Sequence, residues 1–214
     1  PERSTNMFGV RDFKKNSRDP WEDNFNKILE TLDVLVKEGK IRHIGVSNER
    51  AWGLMRYLEE HKINNLPKMI TIQNPYSLLN RIFEGDLAEV SVRENVGLLA
   101  YSPLAFGVLS GKYINGTASE SARLNKFPRF ARYSSQESTT ATKNYMEIAQ
   151  KFNLSLTQMA LAFVNQQPFV RGNIIGATNI SQLKENIDSV NIHLNDEVLE
   201  AINKVHSQIP NPAP

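Results

Sequence analysis

The sequence predicts a parallel α/β fold, and three observations predict it. Four short runs, 41–46, 69–73, 97–101 and 173–176, are aliphatic or β-branched with little alternation. Strands covered on both faces read this way, because neither face meets water. Amphipathic helical patterns separate the runs. The first three runs start at 41, 69 and 97, about 28 residues apart, which fits one βα unit. Alternation of strand and helix implies right-handed crossovers and parallel neighbours in chain order.

The first helical pattern, 25–37, puts Ile28, Leu29, Leu32, Leu35 and Val36 on one face, and Gly39 is a natural stop. The pattern 49–60 repeats this with Trp52, Met55 and Leu58, and 83–93 with Leu87 and Val90. Two more patterns, 145–152 and 156–164, precede the last strand, and Ser155 with Gln158 reads as a capping box for the second. Helix 181–190 follows that strand. A terminal helix, 195–205, turns Val198, Leu199, Ile202 and Val205 inward. Between 111 and 137 the chain is polar and reads as a long loop, a kind of segment that is usually functional or mobile. Four βα units plus a terminal helix fit either an open parallel sheet or about half of a closed (β/α)8 barrel.

The bulk properties narrow the function. With 214 residues, 40% hydrophobic and 22% charged, the chain is expected to form a single domain over 1–214. Its net charge of +2 comes without a basic stripe, so no nucleic-acid partner is expected. There is no cysteine, and the four histidines form no HxxH or HxxxH pair, so no metal site is expected. Residues 1–16 are polar and resemble neither a signal nor a transit peptide. No apolar run approaches the roughly 20 residues that span a bilayer. The expected protein is cytoplasmic, with no membrane partner and an open oligomeric state.

In parallel α/β folds, ligands bind at the carboxyl ends of the strands. Those ends read Ser47-Asn48, Gln73-Asn74, Tyr101-Ser102 and Gly176-Ala177-Thr178. A nicotinamide carboxamide both donates and accepts, which Asn, Gln and Ser satisfy together, and its ring suits the face of Tyr101. Asn48 taken alone reads better as a helix cap; the four ends together favour a ligand. After Tyr101, Gly107 and Gly111 allow close backbone approach, and Lys112 adds a point charge suited to phosphate. The last strand runs through Gly176 into a helix start, the usual form of an anion site. Gln182, Glu185 and Asn186 share one face of that helix and can surround an adenine; an exposed polar face is the alternative.

Taken together, Ile41-Arg-His-Ile-Gly-Val-Ser-Asn48, Gln73-Asn-Pro-Tyr-Ser77, Leu99-Ala-Tyr-Ser-Pro-Leu104 with Gly111-Lys-Tyr113, and Gly176-Ala-Thr178 with Glu185-Asn186 resemble the aldo-keto reductases. Within that superfamily they most resemble the bacterial Tas-type reductases, and next the potassium-channel β subunits. The resemblance implies the C-terminal portion of a (β/α)8 TIM barrel, with NADP(H) extended across the mouth and an aldehyde or ketone as substrate. It further implies that Ser47, Asn48 and Gln73 hold the carboxamide and that Tyr101 stacks on the ring. Ser102, Leu104, Gly107, Gly111 and Lys112 would line the pyrophosphate. Gly176, Ala177, Thr178 and Gln182 would lie near the 2′-phosphate, with Glu185 and Asn186 near the adenine.

Two departures stand against that pattern. Many relatives carry an arginine where this chain has Gln182, and glutamine cannot supply its charge to the 2′-phosphate. The family's catalytic Asp, Tyr, Lys and His lie on earlier strands, with the His two residues before a proline like Pro1, so no catalytic residue is expected among the 214. Two other outcomes are a non-catalytic nucleotide-binding or regulatory protein of this fold, and an inactive fragment whose open edges at 41–46 and 173–176 favour aggregation or dimerisation. Arg123, Lys126, Arg129 and Arg132 in the polar loop can fold over a bound pyrophosphate.

Overall fold

A computed structural model of the chain describes residues 13, 18 and 22–214. Of the polar stretch 1–16, only Phe13 falls among them. The core element is a four-stranded parallel sheet of β1 (Ile44–Ser47), β2 (Met69–Pro75), β3 (Gly97–Tyr101) and β4 (Val170–Ile174), in that spatial order. Every neighbouring pair is parallel, as the sequence predicts. Helices α1 (Phe25–Lys37), α2 (Ala51–Asn64) and α3 (Asp86–Arg93) alternate with the first three strands. The short α4 (Arg123–Lys126), then α5 (Gln136–Lys151) and α6 (Leu156–Asn165), precede β4, and α7 (Ile180–Asp188) and α8 (Asp196–Gln208) close the described chain. This is a partial (β/α)8 barrel, with β1 and β4 outermost among the described strands.

The differences from the sequence reading have local causes. Strand β1 begins at Ile44 rather than 41, because Lys40 and Ile41 turn their N–H groups back to the Leu35 carbonyl and complete the end of α1. Strand β4 runs Val170–Ile174, not 173–176, because it pairs with β3, whose last residue Tyr101 faces Ile174. The pattern 83–93 is broken at Gly85 into a 3-10 turn, Ile82–Glu84, and then α3. Helix α5 starts at Gln136 rather than 145; its first turns are rich in Ser and Thr, which hides the apolar stripe, yet Ser138, Ala141 and Thr142 are buried. The segment 111–137 is therefore not a structureless loop. It contains α4 and a 3-10 turn, Pro128–Ser134.

Four helix starts carry side-chain caps, and of the expected Ser155–Gln158 capping box the Ser155 half forms while the Gln158 side chain turns to the Glu185 carbonyl. Ser135, Ser155, Asn179 and Asn195 each accept a backbone N–H with the side chain at a helix start. Between helices and sheet the core holds Leu54, Leu58, Ile72, Leu98 and Ala160, none with any exposure. Just past the end of β2, Tyr76 packs on Phe163 and Phe169, with ring centroids 6.0 and 5.4 Å away.

Strand spacing admits only glycine at one place in β1. A Cβ on Gly45 would sit 2.3 Å from Thr71 Oγ1 and 2.8 Å from the Thr71 carbonyl oxygen, on the paired strand. The hydroxyl can rotate, but the carbonyl belongs to the ladder and cannot. Gly45→Ala is expected to destabilise by about 1–3 kcal/mol through overpacking. A thermal melt checks this, and an unchanged Tm would mean that β1 can slide away from β2 without loss.

Candidate functional site

Because all four strands are parallel, their carboxyl ends lie on one side of the sheet, and a cleft of about 720 Å³ opens there. That falls within the roughly 300–1,000 Å³ of small-molecule and cofactor sites. Fourteen of the fifteen residues predicted from the sequence line it; the exception is Gly111. Gly111 (φ +77°) packs instead against Met146 and Asn115 on the far side of its loop, bordering a second groove. Its left-handed turn positions Lys112, which does line the cleft.

The floor is a hydrogen-bonded chain across three strand ends. The Tyr101 hydroxyl donates to Asn48 Oδ1 at 2.7 Å. Asn48 Nδ2 donates to Ser47 Oγ at 3.3 Å, and Ser47 Oγ donates to the Gln73 carbonyl at 3.1 Å. Asn48 sits at φ +55°, in the left-handed region that Asn tolerates better than most residues. The network fixes the Asn48 amide while leaving one Nδ2 hydrogen and one Oδ1 lone pair for a ligand. Burial, with a further push from the Tyr133 hydroxyl, takes the Tyr101 phenol up to about 12, against the opposing charge of Arg132.

One wall is the turn after β3. Ala105, Phe106 and Gly107 are consecutive left-handed residues, at φ +48°, +58° and +87°. Glycine relieves the left-handed backbone at 107, where a Cβ would also press on Lys112 Nζ, the movable end of its side chain, at 2.8 Å. Phe106 and Arg123 were not assigned to this wall by motif, although Arg123 was named among the loop cations. The Arg123 guanidinium lies 4.3 Å from the Phe106 ring centroid, and both residues line the cleft. The fold of the 111–137 segment explains this. Tyr113 Oη accepts the Leu124 N–H at 3.1 Å, and Phe106 packs on Phe130 and Tyr133 at 4.4 and 4.8 Å. Lys126 and Arg132 do not line the cleft, and the side chain of Arg129 lies outside the described residues. An aromatic in left-handed backbone has no sequence signature, so no motif announces Phe106.

The opposite wall is the passage from β4 into α7. Gln182 Oε1 accepts from both the N–H and the hydroxyl of Thr178, each at 3.0 Å. Asn186 Nδ2 donates to the Gly176 carbonyl at 3.2 Å, and Glu185 Oε1 accepts from the Ser155 hydroxyl at 2.5 Å. The 182, 185 and 186 side chains thus share a face, as their spacing predicts. Thr157 of α6 completes this end of the cleft.

A parallel half-barrel with a polar cleft at its strand ends defines a class of ligand-binding (β/α) protein. The sequence profile of the Aldo/keto reductase family matches residues 8–207, and the chain belongs to that family. It is 49% identical to the protein Tas of Escherichia coli K12 over 219 aligned positions, covering 100% of this chain and 62% of that protein. It is 32% identical to the L-glyceraldehyde 3-phosphate reductase of the same organism, covering 79% of this chain and 51% of the relative. Against the NADH-specific methylglyoxal reductase of that organism, identity is 30%, covering 80% and 52%. The chain therefore spans between about half and two thirds of the length of these curated relatives. Among the described residues, no helix is long and apolar enough to cross a membrane.

Proposed function

We propose that this chain is the cofactor-binding part of an NADP(H)-dependent aldo-keto reductase that reduces small aldehydes or ketones, and that the 214 residues form one partial-barrel domain. The observation that carries this reading is that fourteen of the residues expected to bind the dinucleotide line one cleft. The donor set fits the dinucleotide. Asn48, Ser47 and Gln73 offer both donors and acceptors to a carboxamide, and the half-buried Tyr101 ring offers a face. Lys112 and Arg123 supply two cations for the phosphates, and the amide of Gln182 supplies a donor. When bound, the nicotinamide supplies the hydride that adds to the carbonyl carbon. The chain's own part is to orient that ring at the sheet end and to hold the phosphates. The names of two relatives, reductases of a glyceraldehyde phosphate and of methylglyoxal, support a small carbonyl compound as substrate.

We assign no catalytic residue among the 214. A second reading, binding without turnover, is favoured by Tyr101, the one tyrosine among the described residues lining the cleft. Its hydroxyl is engaged by Asn48 and its proton is held more tightly than usual.

The test is titration of the 214-residue chain with NADPH and NADH, followed by tryptophan fluorescence or calorimetry. Saturable NADPH binding, tighter than NADH, is expected. Tyr101→Ala removes ring stacking of about 0.5–1.5 kcal/mol, a loss of roughly threefold to tenfold in affinity. Tyr101→Phe keeps the face and loses only the bond that orients Asn48, so its affinity falls less. If NADPH fails to bind, or if Ala and Phe at 101 behave alike, the placement of the ring on Tyr101 is wrong.

A further inference from the structure

We propose that Ser155, which lies outside the cleft, is a positioning residue. It aims the Glu185 carboxylate so that the site selects the exocyclic amino group of an adenine. The inference rests on the dinucleotide reading above.

The argument starts from what one hydroxyl can do. Ser155 has a single hydrogen and two lone pairs. As the N-cap of α6 it accepts the Gln158 N–H at 3.4 Å, which uses a lone pair and leaves the hydrogen to be donated. That hydrogen goes to Glu185 Oε1 at 2.5 Å. The same turn holds α7 a second time, since Gln158 Nε2 donates to the Glu185 carbonyl at 3.5 Å. The start of α6 therefore fixes both the backbone and the side chain of Glu185. Without the Ser155 bond, a three-torsion side chain at the cleft edge would sample several rotamers.

Glu185 lines the cleft, and with one oxygen held from behind, its remaining acceptor capacity serves a ligand. Its neighbour Asn186 is buried and likewise tied from behind, to Gly176. A carboxylate accepts and never donates. An adenine amino group satisfies it. A hypoxanthine, which carries a carbonyl oxygen at that position, sets acceptor against acceptor at the ligand-facing Glu185 oxygen, while Oε1 keeps its Ser155 bond. The capping pair read from the sequence as a structural signal thus acquires a recognition role, because the cap's hydroxyl spans two helices.

The experiment compares NADPH with reduced nicotinamide hypoxanthine dinucleotide phosphate, on the wild-type chain and on Ser155→Ala, Ser155→Thr and Glu185→Gln. Wild type is expected to prefer NADPH by about tenfold, the scale of one hydrogen bond to a charged group. Ser155→Ala and Glu185→Gln are expected to cut that preference to about threefold or less. Ser155→Thr, which keeps both the hydroxyl and the cap, restores it. A Ser155 that only caps α6 would lower the Tm of the Ala variant and leave the ratio at its wild-type value, and that result overturns the proposal. So does equal binding of the two dinucleotides by wild type. Binding of neither overturns the cofactor reading itself.

Discussion

Given NADPH and a reactive aldehyde such as a nitrobenzaldehyde, the purified 214-residue chain is expected to show no NADPH oxidation above background. Reduction of a carbonyl needs a proton at the oxygen as hydride reaches the carbon, and a positioned acid contributes about 10²–10⁴-fold. The acid works best with a pKa near the operating pH. Tyr101 moves the opposite way, to about 12, chiefly because it is buried. Its hydroxyl hydrogen is also committed to Asn48 Oδ1 at 2.7 Å. Lys112, the one lysine among the described residues lining the cleft, lies beside the Tyr113 ring, 5.3 Å from its centroid. No described cleft residue is a histidine. Turnover by this chain that disappears in Tyr101→Phe, with NADPH still bound, would make Tyr101 the proton donor and end the present assignment.

The second large effect is on stability. Tyr76→Ala is expected to cost about 3–5 kcal/mol, the range for emptying a buried aromatic site, and so to reduce the folding constant a hundredfold or more. Tyr76 has no exposed surface and packs on Phe163 and Phe169. Its hydroxyl donates to Glu84 Oε1 at 2.5 Å, and Arg81 grips Glu84 through Nε and Nη2 at 2.6 and 2.7 Å. The same guanidinium lies 4.9 Å from the Phe163 ring centroid, and the Arg81 N–H donates to Asn211 Oδ1 at 2.7 Å. This cluster ties β2, α6 and the C-terminal tail together. Tyr76→Phe keeps the ring and loses a bond to a charged acceptor, so about 1–3 kcal/mol is expected. Both values are read from urea unfolding midpoints. Burial drives the Tyr76 phenol far above its usual range, and Tyr76 does not line the cleft. A Phe variant with wild-type stability and altered NADPH binding would contradict this structural role.

The strand order, the parallel directions and the first helix were legible because they follow from short-range patterns. Helix α1 lies where its apolar spacing and Gly39 put it. The residues at the strand ends were legible for a related reason: once directions are known, the carboxyl ends of parallel strands must share a side. Strand β4 was misplaced by three residues at its start, Val170 against 173, because its bounds depend on the length of β3, a partner more than 60 positions earlier. Helix α5 was shortened because Ser138 and Thr142 are polar residues buried by tertiary contact, with hydroxyls paired to Pro212 O and Ser138 O.

Within the site the division is the same. Sequence alone identified most of the residues that line the cleft, at the strand ends, in the turn after β3 and on one face of α7. Tertiary structure decided how they act on one another. It set the Tyr101 hydroxyl on Asn48, turned Gly111 away from the cleft, brought Arg123 onto Phe106 and placed Ser155 behind Glu185. The Tyr101–Asn48 and Ser155–Glu185 bonds join residues 30 or more positions apart, and the Arg123–Phe106 contact depends on left-handed backbone at an aromatic residue. Such contacts arise only when helices pack on the sheet, and the burial that follows is what raises the Tyr101 proton affinity.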